Sequence, residues 1–203
     1  MFRIKNIFIL TLVIGLTACT NSAFNKDYEN LPSNGTSGIN AVIEIPAGSN
    51  QKIEYQKATK RFQSDLENGQ ARLISFLPYP GNYGFIPSTY MDPAQGGDGD
   101  ALDILVLCES LETGTVVETK PIATLLLRDA GELDTKIIAV PTDPALQVFQ
   151  IEDFQDFLIH QDAARRIIET WFLNYNPKDD TQLIRWEDDQ YALQEIKKWN
   201  KKN

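Results

Sequence analysis

One histidine, His160, and two cysteines, Cys19 and Cys108, are all that this 203-residue chain offers in imidazole and thiolate ligands. A zinc centre, which draws on those residue types, is excluded. Positive charge is also scarce: 19 Lys and Arg stand against 28 Asp and Glu, for a formal net charge of −9. The basic residues are scattered rather than gathered on one stretch, so nucleic acid, whose phosphates need a basic face, is excluded as a partner. Long hydrophobic runs are missing too. The one sustained apolar segment, residues 7–16, is too short to cross a bilayer as a helix. No internal repeat is visible. What is present is 42% hydrophobic residues, enough for the core of one globular domain.

The chain opens as a secretory signal peptide over residues 1–18. Arg3 and Lys5 give a short basic start, the apolar segment follows, and Leu16-Thr17-Ala18-Cys19 closes it. That ending resembles a bacterial lipobox, which makes Cys19 the lipid-modified first residue of the mature protein. The expected location is therefore extracytoplasmic, anchored to a membrane on its periplasmic or cell-surface side. Residues 19–40 are rich in Asn, Ser, Gly, Thr and charge, and read as a flexible tether. About twenty such residues reach roughly 25 Å. With Cys19 used as the anchor, Cys108 has no disulfide partner and is expected to be a small buried hydrophobe.

Short β-like segments follow: 41–45, 53–55, 71–77, 103–108, 115–127 and 136–140, several of them separated by Gly and Pro. Their close spacing argues for a small barrel or sandwich rather than βαβ units. After Pro144 the period changes. Phe154, Phe157, Leu158, Ala164, Ile168, Trp171, Phe172 and Tyr175 recur mostly at three- and four-residue intervals, predicting one long amphipathic helix, and a second is expected over about 188–199. The fold class is mainly β with two C-terminal helices, in a domain spanning 41–203.

The chemistry concentrates in Gly96-Gly97-Asp98-Gly99-Asp100-Ala101-Leu102-Asp103. Three carboxylates crowded on one turn repel one another unless a cation sits among them, and hard oxygen donors suit Mg²⁺, Mn²⁺ or Ca²⁺. An EF-hand is excluded, because Leu102 and Asp103 stand where a ligand and the obligatory Gly belong. A second cluster, Asp129-Ala130-Gly131-Glu132-Leu133-Asp134-Thr135-Lys136, puts Asp134 and Lys136 on one strand face, a mixed polarity that suits a metal-bridged phosphate better than a bare cation. A third, Pro78-Tyr79-Pro80-Gly81-Asn82-Tyr83-Gly84, fixes two phenols. A fourth places Glu44 at the end of an apolar strand, ahead of Lys52 and Glu54. His160 falls on the polar side of the long helix and is expected at the surface.

Together, Ile-Glu-Ile-Pro-Ala, Lys-x-Glu, Pro-Tyr-Pro-x-Asn-Tyr-Gly, Asp-Gly-Asp-x-x-Asp and Asp-x-Gly-Glu-x-Asp-x-Lys resemble the family I soluble inorganic pyrophosphatases, from about Ala41 to Trp199. The resemblance implies a five-stranded OB-like barrel with flanking helices, pyrophosphate as substrate and Mg²⁺ as cofactor, with Mn²⁺ a possible substitute. It implies that Asp98, Asp103 and Asp134 hold the activating metals, with Asp129, Glu44 and Glu54 serving further ones. Asp100 is the implied general base. Lys52, Arg72, Tyr83, Lys136 and Tyr175 are implied to hold the phosphates, with Tyr79 behind them. The family usually has Lys after the tyrosine at 175; here Asn176-Pro177-Lys178 follows, and Lys178 is expected to substitute. A homo-oligomer is expected. Two alternatives remain at this stage: a metal- or phosphate-binding lipoprotein on the same fold without catalysis, and a hydrolase of another phosphoanhydride.

Overall fold

A computed structural model describes residues 26–129, 131–178 and 180–201; the expected signal peptide and the lipidated Cys19 lie outside the described residues. In chain order the strands are β1 (Ile39–Ile45), β2 (Ile53–Gln56), β3 (Arg61–Ser64), β4 (Leu66–Glu67), β5 (Gln70–Ala71), β6 (Asn82–Phe85), β7 (Asp103–Val106), β8 (Val116–Asp129) and β9 (Glu132–Pro141). Helices α1 (Phe154–His160) and α2 (Asp162–Asn174), strand β10 (Gln182–Asp188) and helix α3 (Asp189–Trp199) complete the chain.

The main sheet runs β1-β6-β7-β9-β8-β10, and β1 also pairs with the first residues of β8. Five strands thus close on themselves, as expected of an OB-like barrel, while β10 extends β8 outside the ring. The 14-residue β8 makes this possible: Val116–Thr119 pair with β1, and Ala123–Arg128 pair with β10. Pro121, which cannot donate to a ladder, sits at the register shift between β8 and β9. Alternation along the strands splits the core. Leu105, Leu125 and Ile138 pack with Phe157, Ile168 and Trp171 of α1 and α2. Ile104, Val106 and Ile137 pack with Ala192, Ile196 and Trp199 of α3.

Four expectations change. The segment 71–77 is not a strand: Leu73, Phe76 and Leu77 are exposed and only Ile74 is buried, so no period-two face exists. The single long helix is two, broken at Gln161, whose φ of −134° is not helical. Strands β3, β4, β6 and β10 lie outside the expected segments; Asn82 and Gly84 are poor strand formers, and β10 is polar along most of its length. Finally, the tether does not extend to residue 40. Tyr28 packs edge-on against Tyr55 and Phe62 at ring separations of 5.4 and 5.0 Å, contacts worth about 0.5–1.5 kcal/mol each beyond area burial. Ser88 N donates to the Glu29 carbonyl at 2.7 Å, and Asn200 Nδ2 donates to Ser33 Oγ at 2.6 Å. The domain therefore begins well before Ala41.

His160 is exposed as expected. Cys108 is half-buried rather than buried, because its thiol sits against the polar hub of Asn82, whose Nδ2 lies 3.3 Å from Sγ.

Candidate active site

Strands β7 and β9 run parallel with Asp103 opposite Lys136. That register, together with the two-residue period of β9, delivers the Lys136 ammonium between two carboxylates, 2.6 Å from Asp103 Oδ2 and 2.6 Å from Asp134 Oδ1. Nζ also donates to Tyr83 Oη at 3.0 Å. Burial opposes the lysine's charge, but Asp103 and Asp134 outweigh it and hold its pKa well above the usual value. Burial raises the Asp134 carboxyl, against the pull of Lys136. Burial, with Asp103 next, raises the Tyr83 phenol well above its ordinary value, so it stays a neutral donor.

Glu44 reaches the cleft through a bulge. The β1–β6 register slips between Ile43 and Ile45, leaving Glu44 as the residue whose side chain is re-aimed. Strand β6 must come close for this: a Cβ on Gly84 would meet Val42 O at 1.9 Å, so only glycine fits. Tyr55 N donates to Glu44 Oε1 at 2.6 Å. Burial first, then Asp103 and Glu54, push the Glu44 carboxyl up to about 8. In metal-free solution the folded chain therefore holds a proton that the unfolded chain loses near 4.5, and stability falls as pH rises from 4.5 towards about 8. Glu44→Gln is expected to flatten that slope in EDTA, read as denaturant midpoint against pH. An unchanged slope would place its cause elsewhere.

The glycine turn shapes the opposite wall. Gly99, at φ +86°, turns the chain so that Asp98 Oδ1 accepts from Asp100 N at 2.9 Å. Burial first, then Asp103 and Asp100, raise the Asp98 carboxyl. The Asp100 side chain, 77% exposed, faces the cleft with Lys57 Nζ 3.5 Å away. Just ahead of β2, Lys52 Nζ lies 2.9 Å from Glu54 and 3.7 Å from Asp65. An aromatic wall closes the site. Trp171 is pinned by Nε1 donating to the Leu77 carbonyl at 2.8 Å, stacks on Tyr175 at 4.9 Å and touches Tyr79 at 4.5 Å.

These elements enclose a cleft of about 360 Å³. Among the expected metal and base residues, Glu44, Glu54, Asp98, Asp100, Asp103, Asp129 and Asp134 all line it. Lys52, Tyr79, Tyr83, Lys136 and Tyr175 line it as well. Two expected residues do not. Arg72 stands just behind, its Nη1 3.3 Å from Asp65 Oδ2, the same carboxylate that faces Lys52. Lys178 is 73% exposed and turned onto Glu67 of the β4–β5 hairpin at 2.5 Å, outside the lining of the cleft. Lys178→Ala is accordingly expected to change kcat/KM by less than about twofold, and a tenfold loss would restore Lys178 as a phosphate contact. Sequence reading missed Glu29 and Lys57 and gave Glu132 of the second cluster no role; all three also line the cleft. Lys57 was legible as the basic residue closing the Lys52-x-Glu54 strand; Glu29 carried no signal.

Among the described residues, no three carboxylates form a preformed cation cage. The space between Asp103 and Asp134 is taken by Lys136. The donor set still fits Mg²⁺: every acidic ligand is a hard oxygen, and Glu44, Asp98 and Asp134 carry raised pKa values from burial and mutual repulsion that a divalent cation would relieve.

A family model described as inorganic pyrophosphatase matches residues 41–203. An inorganic pyrophosphatase of Saccharolobus solfataricus is 38% identical over 167 residues, covering 79% of this chain and 88% of that one. One from Haloferax volcanii is 37% identical over 175 residues, covering 84% and 90%. Among solved structures, the Thermus thermophilus inorganic pyrophosphatase superposes with a TM-score of 0.73 at 29% identity, over 85% of this chain and 95% of that one. The Neisseria gonorrhoeae enzyme gives 0.70 at 31% identity, over 85% and 95%. Sequence, barrel and acidic cleft agree: the chain belongs to the inorganic pyrophosphatase family.

Proposed function

We propose that this chain hydrolyses pyrophosphate to two phosphates with Mg²⁺ as cofactor, using Asp100 as general base, and does so as a membrane-anchored lipoprotein outside the cytoplasm. Family membership supports the reaction and the cofactor. The observation that carries the residue roles is the convergence of Asp98, Asp100, Asp103, Asp134 and Lys136 on one cleft. When bound, Mg²⁺ would supply screening of the anionic substrate and polarisation of the water and phosphate oxygens. Asp98, Asp103 and Asp134 would hold it, with Asp129, Glu44 and Glu54 for further ions. Asp100, whose side chain is largely in solvent, takes the proton from the attacking water as the water oxygen bonds to phosphorus. The bridging P–O bond breaks with its electron pair on the departing phosphate. Lys52 and Lys136 hold and neutralise the phosphates, Tyr83 and Tyr175 donate to them, Tyr79 backs Tyr175 through Trp171, and Arg72 can reach them from behind Asp65.

Phosphate release from pyrophosphate, ATP and p-nitrophenyl phosphate, each with and without Mg²⁺, tests the reading. Release from pyrophosphate alone, only with Mg²⁺, is expected; equal release from ATP, or none from pyrophosphate, would overturn it.

The anchor rests on Arg3, Lys5, the apolar segment and the Leu16-Thr17-Ala18-Cys19 ending. Among the described residues, no helix is long and apolar enough to cross a membrane. The lipid at Cys19 would be the attachment. Cys19→Ala is expected to move the protein from the membrane to the soluble fraction and to abolish labelling by a lipid probe. A mutant that stays in the membrane would refute the lipobox. A homo-oligomer belongs to the same proposal, supported by the large apolar side chains left exposed at Phe76, Leu77, Ile159 and Ile167.

A further inference from the structure

The residues ahead of the family match do not merely lead into the barrel. Glu29, twelve positions before residue 41, lines the active-site cleft. It is held there from several sides: Tyr28 is buried among Tyr55, Phe62 and Phe85, Ser88 N donates to the Glu29 carbonyl, and Ser88 Oγ donates to the Leu31 carbonyl at 2.7 Å. The Glu29 carboxylate carries two ammonium groups. Lys201 at the C-terminal end of the fold lies 2.6 Å from Oε1, and Lys57, in the turn after β2, lies 3.8 Å from the same oxygen. Lys57 also faces Asp100 at 3.5 Å and lines the cleft. A carboxylate outside the family domain, a lysine and the general base therefore form one chain of charge across the cleft mouth.

We propose that Glu29 is a positioning residue for catalysis, acting through Lys57, whose ammonium fixes the direction of the Asp100 carboxylate. This rests on the assignment of Asp100 as the base. Asp100 needs such a partner, because it sits after a glycine turn with its side chain largely in solvent, free to swing away from the attacking water. Lys57 alone is a poor restraint, since it is 45% exposed on a flexible four-carbon stem. Glu29 draws it from the far side and narrows its range. The segment that leads from the expected anchor thereby takes part in the active site.

The test uses the full chain, with steady-state kinetics on Mg²⁺-pyrophosphate and a denaturant midpoint for every variant. Glu29→Gln is expected to lower kcat about two- to fivefold, the range an exposed ion pair can supply, with KM changed less. Lys57→Met should do the same, Lys57→Arg should recover most of the loss, and Glu29→Gln with Lys57→Met together should be no worse than Lys57→Met alone. Lys201→Met removes the other, shorter pair of Glu29 and should leave kcat unchanged whatever it does to the midpoint. Glu29→Gln within about 1.5-fold of wild type, multiplying losses in the double variant, or a Lys201→Met effect equal to that of Glu29→Gln would each overturn the proposal while the pyrophosphatase reading stood. A wild-type chain that releases no phosphate from pyrophosphate would overturn both.

Discussion

Asp100→Asn is expected to lower kcat by about 10²–10⁴, the usual worth of a general base, with folding and Mg²⁺ affinity largely kept. The amide is isosteric and can still face Lys57, but it cannot take a proton from water. Asp98, Asp103 and Asp134 remain to hold metal, and the turn survives because Asp98 Oδ1 receives the Asp100 backbone N–H rather than its side chain. Single-turnover and steady-state rates, with Mg²⁺ titrated calorimetrically, separate the two effects. A variant within about threefold of wild type would take the base role away from Asp100.

Lys136→Met should be damaging in a way that depends on metal. Wild-type Lys136 is a buried cation shared by Asp103 and Asp134. Methionine keeps the length of the stem but leaves two neighbouring, largely buried carboxylates facing each other, and stripping one partner from a buried ion pair costs about 3–5 kcal/mol. In EDTA the denaturant midpoint should fall accordingly. Mg²⁺ should then raise the midpoint of the variant more than that of wild type, because a divalent ion can take the position the ammonium held. Activity should stay low even at saturating Mg²⁺, since the phosphate loses its buried cation. Equal Mg²⁺ stabilisation in the two proteins would mean that Lys136 does not share those carboxylates with the metal.

The barrel strands that carry the acidic cluster were legible because their signals are local. Asp103-Ile104-Leu105-Val106 is an apolar run entered by a carboxylate, and Asp134 and Lys136 share a face by period alone. Helix α3 was legible by its spacing and by Asp188, which caps it by accepting from Tyr191 N at 2.8 Å. What could not be read depends on contacts distant in sequence. Nothing around Glu44 announces a bulge; it follows from the fit of β1 to a strand holding Gly84. Strand β6 contains Asn82, whose side chain accepts from Ala47 N and Leu111 N, and such a residue argues for a loop until those partners are known. Tyr28 and Leu31 were two apolar residues in a polar stretch, too few to mark a docked segment. The pairing of Lys178 with Glu67 could not be read for the same reason, because the two lie 111 residues apart.

The closed ring of five strands leaves the main sheet one open side, β10, with no strand beyond it among the described residues. An open strand edge is a template on which a second chain can add. Here that border carries Arg185, Glu187 and Asp188, with Leu183 its one large exposed hydrophobe. Arg185 Nε is paired with Glu187 at 2.5 Å along the strand, so an approaching backbone would have to desolvate charge before it could gain a single hydrogen bond. The barrel is guarded against strand-by-strand addition at its edges by closure on five strands, and by charge on the sixth.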